Sequence, residues 1–251
     1  MKAFDDHAVS ELLGYTILVG IVILAVISLT STGTGAIYST VKYQEFLGAS
    51  GALKCLAHQV SSSAVSNNTF YRAYEMAVPA GYELEVKDRY DDLGSIRLLA
   101  DDTPLTSLRT GSVKLKSPYR YAVFEGGAVM MNDTGILSEG RKPMIYTVGS
   151  QSGRDVLYIS IVSIVSDTWT YSNGVPITLR IRCGSVKCMN WTLDGKNATL
   201  LIDSVEPGIW EKRLVGLGFS TEYENGTLKA TSGKVAEIYV TYAEIGVTKE
   251  V

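Results

Sequence analysis

From Leu12 to Leu29 the chain carries no charged side chain: LLGYTILVGIVILAVISL is built from Ile, Leu and Val with small residues between them. A helix of about 20 apolar residues crosses the hydrocarbon of a bilayer, because a helix satisfies every backbone N–H and C=O where water is absent. The stretch is therefore predicted to be membrane-embedded.

Its charged end and its small residues say what kind of membrane helix it is. Glu11 stands at the mouth of the run, where an ionised carboxylate costs about 3 kcal/mol at depth unless it reaches the headgroups or meets a partner. Gly14, Gly20, Ser28, Ser31, Gly33 and Gly35 suit a lone helix poorly, yet they let other helices come close. A helix that prefers helical neighbours satisfies both observations. A single anchor whose Glu11 snorkels to the surface satisfies the first.

Met1-Lys2-Ala3, then Phe4, a short polar lead and AVSELLGYTILVGIVILAVISL resemble the N-terminal segment of the archaeal type IV pilin and archaellin-like superfamily, in its pilin-like branch. The resemblance covers about the first 35 of the 251 residues. It implies a basic leader, residues 1–3, cut by a type III signal peptidase between Ala3 and Phe4. It also implies that pilus assembly machinery draws the helix from the membrane, and that copies of the chain associate through it as a homopolymeric filament. Glu11, Gly14 and Gly20 are then assembly residues. The amine freed at Phe4 is a cation able to pair with Glu11 of a neighbouring subunit, offsetting the burial of either charge alone. Asp5 and Asp6 suit the positive end of the helix macrodipole. The glycine-rich start typical of archaellins is absent, which favours attachment over motility.

Lys2 precedes the apolar run and Lys42 is the first cation after it, a weak vote for a cytoplasmic N-terminus. The asparagines speak more clearly. Five of the seven open an Asn-x-Ser/Thr sequon: Asn67, Asn132, Asn190, Asn197 and Asn225. Such an excess points to a surface reached by glycosylation machinery outside the cell, with occupancy open at each site. Cys183 and Cys188 in R-C-G-S-V-K-C are expected in a Gly-containing turn that a disulfide could bridge, in keeping with an oxidising compartment. Cys55 is left over, a buried or interfacial thiol on a helix.

After Leu29, apolar residues recur at Ile37, Val41, Phe46, Leu47, Leu53, Leu56, Ala57 and Val60, in steps that suit one helical stripe. This is either one helix from about Ala8 to about Ser66 or two helices hinged near Gly33 and Gly35. From Phe70 onward period two takes over. Tyr71–Val78 and Tyr82–Val86 are predicted to form a hairpin-like pair, and further strands are expected at 95–100, 112–116, 120–125, 128–131, 144–146, 156–165, 177–182, 189–193 and 236–242. Gly126-Gly127 and Asn173-Gly174 mark turns. One helix interrupts the strands at 204–218, opened by a Ser204 cap and Pro207, with Ile209, Trp210 and Leu214 packed onto the sheet.

The predicted class is α+β: a long N-terminal hydrophobic α-helix followed by a C-terminal antiparallel β-rich head, sandwich- or barrel-like. Residues 1–3 form the leader, 4–66 the helix and its extension, and 67–251 the extracellular head. Catalytic signatures are sparse. His7 and His58 have no nucleophile in a recognisable motif, and three Cys with two His make a poor zinc set. Asp91-Asp92 and Asp101-Asp102 lack the spaced ligands of a calcium loop. A net charge of −3 with no basic stripe argues against nucleic acid. No enzyme, cofactor or metal is expected. Tyr71, Tyr74, Tyr82, Tyr90, Tyr119 and Tyr121 are expected either at subunit contacts or on a half-buried sheet face.

The leading expectation is thus a structural subunit of an extracellular pilus-like filament, held in the cytoplasmic membrane by its helix before assembly. The alternative is a membrane-anchored minor pilin-like module that binds glycans or surfaces without polymerising alone.

Overall fold

A computed structural model describes residues 6–66, 71–92, 94–149 and 155–250. One α-helix, α1, runs from Asp6 to Ser66, so the two-helix alternative does not hold. The Thr- and Ser-rich segment stays helical because its hydroxyls are turned onto the helix itself. Thr30, Thr34 and Thr40 donate to the carbonyls of Val26, Thr30 and Ala36 at 2.6, 2.7 and 2.8 Å, so these three hydroxyls are held within the helix rather than turned to a competing local turn.

The chain divides into two compact units inside this helix, Met1–Leu47 and Gly48–Val251. In the second unit the stripe Leu53, Leu56, Ala57 and Val60 is fully buried. Tyr74 closes over it by donating its hydroxyl to the Ala52 carbonyl at 2.7 Å. The same periodicity carried back to Ile37 and Val41 leaves both exposed, at 66% and 48%.

The strands, in chain order, are β1 (Tyr71–Met76), β2 (Glu83–Lys87), β3 (Ser95–Ala100), β4 (Thr103–Arg109), β5 (Ser112–Lys116), β6 (Arg120–Glu125) and β7 (Ala128–Asp133). They continue as β8 (Ile136–Arg141), β9 (Met144–Gly149), β10 (Asp155–Val165), β11 (Trp169–Tyr171), β12 (Ile177–Asp203), β13 (Ser220–Glu224) and β14 (Thr227–Lys249). The large sheet has the order β4-β3-β12-β14-β10-β9, with β1 also on β12 and β13 also on β14; the second sheet runs β11-β2-β5-β6-β7-β8. The expected α+β class holds, with one departure from antiparallel pairing: β10 runs parallel to β14.

The expected pairing of the first two strands is wrong. β1 lies on β12 and β2 lies between β11 and β5, in different sheets. A turn at 79–82 fits a hairpin locally, but the long-range ladders bury more. Strands expected separately at 177–182 and 189–193 are parts of one 27-residue strand, β12, and 236–242 is the middle of a 23-residue strand, β14. A register shift at Cys183/Ser185 absorbs Gly184, in the segment that reads as a turn, and another at Thr192/Lys196 absorbs Gly195. Gly126 and Gly127 do make the expected tight turn between β6 and β7, at φ +60° and +98°.

The large sheet's inner face and helix α2 (Pro207–Val215) carry the core. Leu157, Ile159, Leu200, Ile238 and Val240 pack with Trp210 and Leu214. Ile209, Trp210 and Leu214 are buried as predicted. Ser204 is not the helix cap, however: the N-cap is Glu206, and the Ser204 hydroxyl donates to Glu125 at 2.8 Å.

Candidate functional site

Among the described residues, the exposed large apolar side chains are concentrated on helix α1. Ile17, Leu18, Val19, Ile21, Val22, Ile23, Leu24, Val26, Ile27 and Leu29 are all between 52% and 73% exposed. They occupy every side of the helix, and a helix apolar all round belongs inside a bilayer or among other helices. It is long and apolar enough to span a membrane. A Cβ added to Gly20 or Gly33 would meet nothing within 4 Å, so both glycines open the helix surface to an approaching neighbour. The uncharged run ends where Lys42 pairs with Glu45 at 2.8 Å. Glu11 and Gly14 lie on helical backbone with their side-chain surroundings outside the described residues, and the leader positions Ala3 and Phe4 also lie outside them.

The sequons fall in different settings. Asn190 and Asn197 on β12 and Asn225 at the β13–β14 turn are exposed. Asn132 is engaged: its amide donates to the Tyr121 hydroxyl at 3.3 Å and its carbonyl accepts from Gly135 N–H at 2.9 Å. Asn67 lies outside the described residues.

The expected disulfide is absent. Cys183 is buried and Cys188 exposed, both as free thiols, and they sit on the same strand opposite Ile245 and Thr241. Five residues of extended chain separate Cα atoms by about 16 Å, beyond the roughly 7 Å limit for a bridge. Cys55 is exposed on α1, so of the two expected settings the buried one does not hold.

The tyrosines divide between the two expected settings, with Tyr71's surroundings outside the described residues. Tyr82 is 4% exposed, Tyr74 and Tyr121 are half-buried, and Tyr90 and Tyr119 are exposed. The guanidinium groups of Arg89 and Arg109 both lie over the Tyr90 ring, 5.0 and 5.2 Å from its centroid. A second aromatic group was not singled out from sequence. Tyr146 on β9, Tyr158 on β10 and Tyr239 on β14 stand in direct register across the outer face of the large sheet. Tyr158 and Tyr239 stack at 5.1 Å. With Val148, Met144, Val186 and Cys188 they line a shallow groove of about 630 Å³. The three residues are more than 80 positions apart at the extremes, so only the pairing of β9, β10 and β14 brings them together; alternation marks each as outward-facing but not as neighbours.

The carboxylates are structural. Asp101 and Asp102, at φ +45° and +74°, form the β3–β4 turn, where Asp101 also accepts from Asn197 N–H at 3.1 Å. Asp91 accepts from the Thr168 hydroxyl. Glu125 is 1% exposed, and burial pushes its carboxyl up to about 7, with Asp92 adding to the shift. It accepts from Ser204 and from Val205 N–H at 2.8 and 3.2 Å, and from Thr110 at 3.3 Å. A buried, shifted carboxylate in a cleft would suggest acid–base chemistry; this one is closed over by the lead-in to α2 and acts as a clasp. Among the described residues no cluster of three or more His, Cys, Asp or Glu could hold a metal.

A family model described as "Family of unknown function (DUF7289)" matches residues 7–248. No curated protein and no solved structure matches the chain.

Proposed function

The chain belongs to this family of unknown function, and we propose that it is the structural subunit of an extracellular archaeal type IV pilus-like filament, assembling through α1. The observation that carries the reading is the all-round exposure of ten large apolar side chains between Ile17 and Leu29, joined to hydroxyls already satisfied within the helix. Fully covering such a side chain is worth about 2 kcal/mol relative to water, so this surface is never left in water. Lipid covers it equally well. What favours helices over lipid is close packing, for which Gly20 and Gly33 leave room.

In this reading a type III signal peptidase cuts between Ala3 and Phe4, the freed amine pairs with Glu11 of a neighbour, and the assembly machinery moves the helix from the cytoplasmic membrane into the filament core. The β-rich unit forms the outer surface and serves attachment. The aromatic row Tyr146, Tyr158 and Tyr239 favours a second reading, a membrane-anchored minor pilin-like module that recognises glycans or surfaces.

Electron microscopy and N-terminal sequencing of the native protein test the proposal. Filaments of this chain beginning at Phe4 are the expected result. A chain that retains Met1 and stays in the membrane fraction while surface fibres of other composition form overturns it.

A further inference from the structure

The outer face of the large sheet carries a row that crosses four strands in register: Tyr146 on β9, Tyr158 on β10, Tyr239 on β14 and Asn190 on β12. Directly opposed residues place their side chains on the same face. The burial pattern agrees: Ile145, Leu157, Ile159, Ile238 and Val240 are buried on the inner side, while the three tyrosines are 51%, 42% and 36% exposed. Asn190 opens the sequon Asn190-Trp191-Thr192. Asn190 and Thr192 are both exposed, whereas Trp191 packs against the core.

Among the described residues, one side of the strand that bears the sequon is unpaired over part of its length. Arg182 is the last β12 residue paired with β1, and Ala198 is the first paired with β3. Between them, among the described residues, β12 is paired only with β14. An open strand edge beside an apolar face is a template for unwanted pairing unless something bulky covers it.

We propose that Asn190 carries an N-linked glycan whose first sugars lie across Tyr239 and Tyr158. In the modification, the Asn190 amide nitrogen bonds to the anomeric carbon of an oligosaccharide held on a polyprenyl-phosphate lipid. The sugar's C–O bond to phosphate breaks, the lipid phosphate leaves with the electron pair, and the amide nitrogen loses one proton. Strands lie about 4.8 Å apart, so Tyr239 is the adjacent side chain and Tyr158 the next. The C–H face of a sugar ring carries partial positive charge and suits the π face of Tyr239 that its stack with Tyr158 does not occupy. The Tyr239 hydroxyl is already donated to Glu237 at 2.8 Å. Ser160 and Thr241, paired in the neighbouring outward row, offer hydroxyls to the sugar's own. A second copy of the chain seated on this face would have to displace a glycan rooted at its border.

The inference rests on the head being extracellular and does not need polymerisation, so filaments with an unmodified Asn190 defeat it alone. The tryptic peptide Cys188–Lys196 contains Asn190 as its only sequon asparagine. In protein from the native host its mass is expected to include a glycan that Asn190→Gln abolishes. Thermal unfolding of wild type, Asn190→Gln, Tyr239→Ala and the double variant then tests the contact. Loss of the glycan is expected to lower Tm by about 3 °C, and to lower it much less once Tyr239 is Ala; Tyr158→Ala serves as the second probe. An unmodified peptide, or an Asn190→Gln effect unchanged in both tyrosine backgrounds, overturns the proposal. So does protection of these tyrosines from nitration that appears only on self-association, which assigns the face to a second copy.

Discussion

Glu125 shows how one side chain joins distant segments. Its carboxylate receives Ser204 and Val205 from the lead-in to α2 and Thr110 from the loop after β4, and Gly94 is present because a Cβ there would sit 2.1 Å from the Thr110 hydroxyl and 2.4 Å from a Glu125 oxygen. Burial raises this carboxyl from 4.5 to about 7, so the folded state holds the proton more tightly than the unfolded chain. Stability from Glu125 is then complete below about pH 4.5 and lost as pH rises towards 7. Between pH 4 and pH 8, Glu125→Gln should gain on the order of 3 kcal/mol relative to wild type in denaturant titrations of detergent-solubilised protein. A constant difference across that range refutes it. The thiols give a second test. A maleimide should label Cys55 and Cys188 in the folded protein and Cys183 only after unfolding, with the mass unchanged by reductant; burial raises the pKa of the Cys183 thiol as well. Neither Glu125 nor the separation of the two cysteines was legible in sequence. F-E-G-G reads as a strand end, and a glycine between cysteines reads as a turn, because the neighbours that decide both cases are contributed by β12, β14 and the lead-in to α2.

At the scale of elements, α1 follows from its own sequence more completely than any strand does. Its apolar run, its uncharged span and its helical stripe at Leu53, Leu56, Ala57 and Val60 are local patterns, and the helix needs only its own backbone to satisfy them. Gly20→Leu should leave the isolated chain's fold intact, since nothing lies within 4 Å of the added Cβ, yet abolish or sharply reduce filaments counted by electron microscopy. Undiminished filaments would show that Gly20 faces no neighbour. Strands β12 and β14 are the opposite case. Each is interrupted in sequence by glycine or charged residues, and each is held extended by the other over most of its length. Their continuity is a property of the pair, which is why reading either alone divides it.

For the whole molecule, the compact unit Gly48–Val251 holds the two sheets and α2, joined where the Ile164 N–H donates to the Thr110 carbonyl at 2.6 Å. The exposed apolar side chains of Ile17–Leu29 all belong to the other unit. Removing residues 1–42 should therefore convert a detergent-requiring protein into a monomer that stays in aqueous buffer and unfolds cooperatively, as read by light scattering and calorimetry. Aggregation of the shortened chain would refute this. The sequence by itself determined that the chain has an apolar helix near its start, a strand-rich remainder, tight turns such as Gly126-Gly127, and five Asn-x-Ser/Thr sequons, since each of these depends on residues within one or two turns of one another. Only the tertiary structure decided which strands lie side by side, that two cysteines on one strand cannot meet, that Glu125 is sealed, and that three tyrosines and Asn190 share one row. Those outcomes are set by pairing across tens to more than ninety residues, where burial over a whole sheet outweighs any local preference.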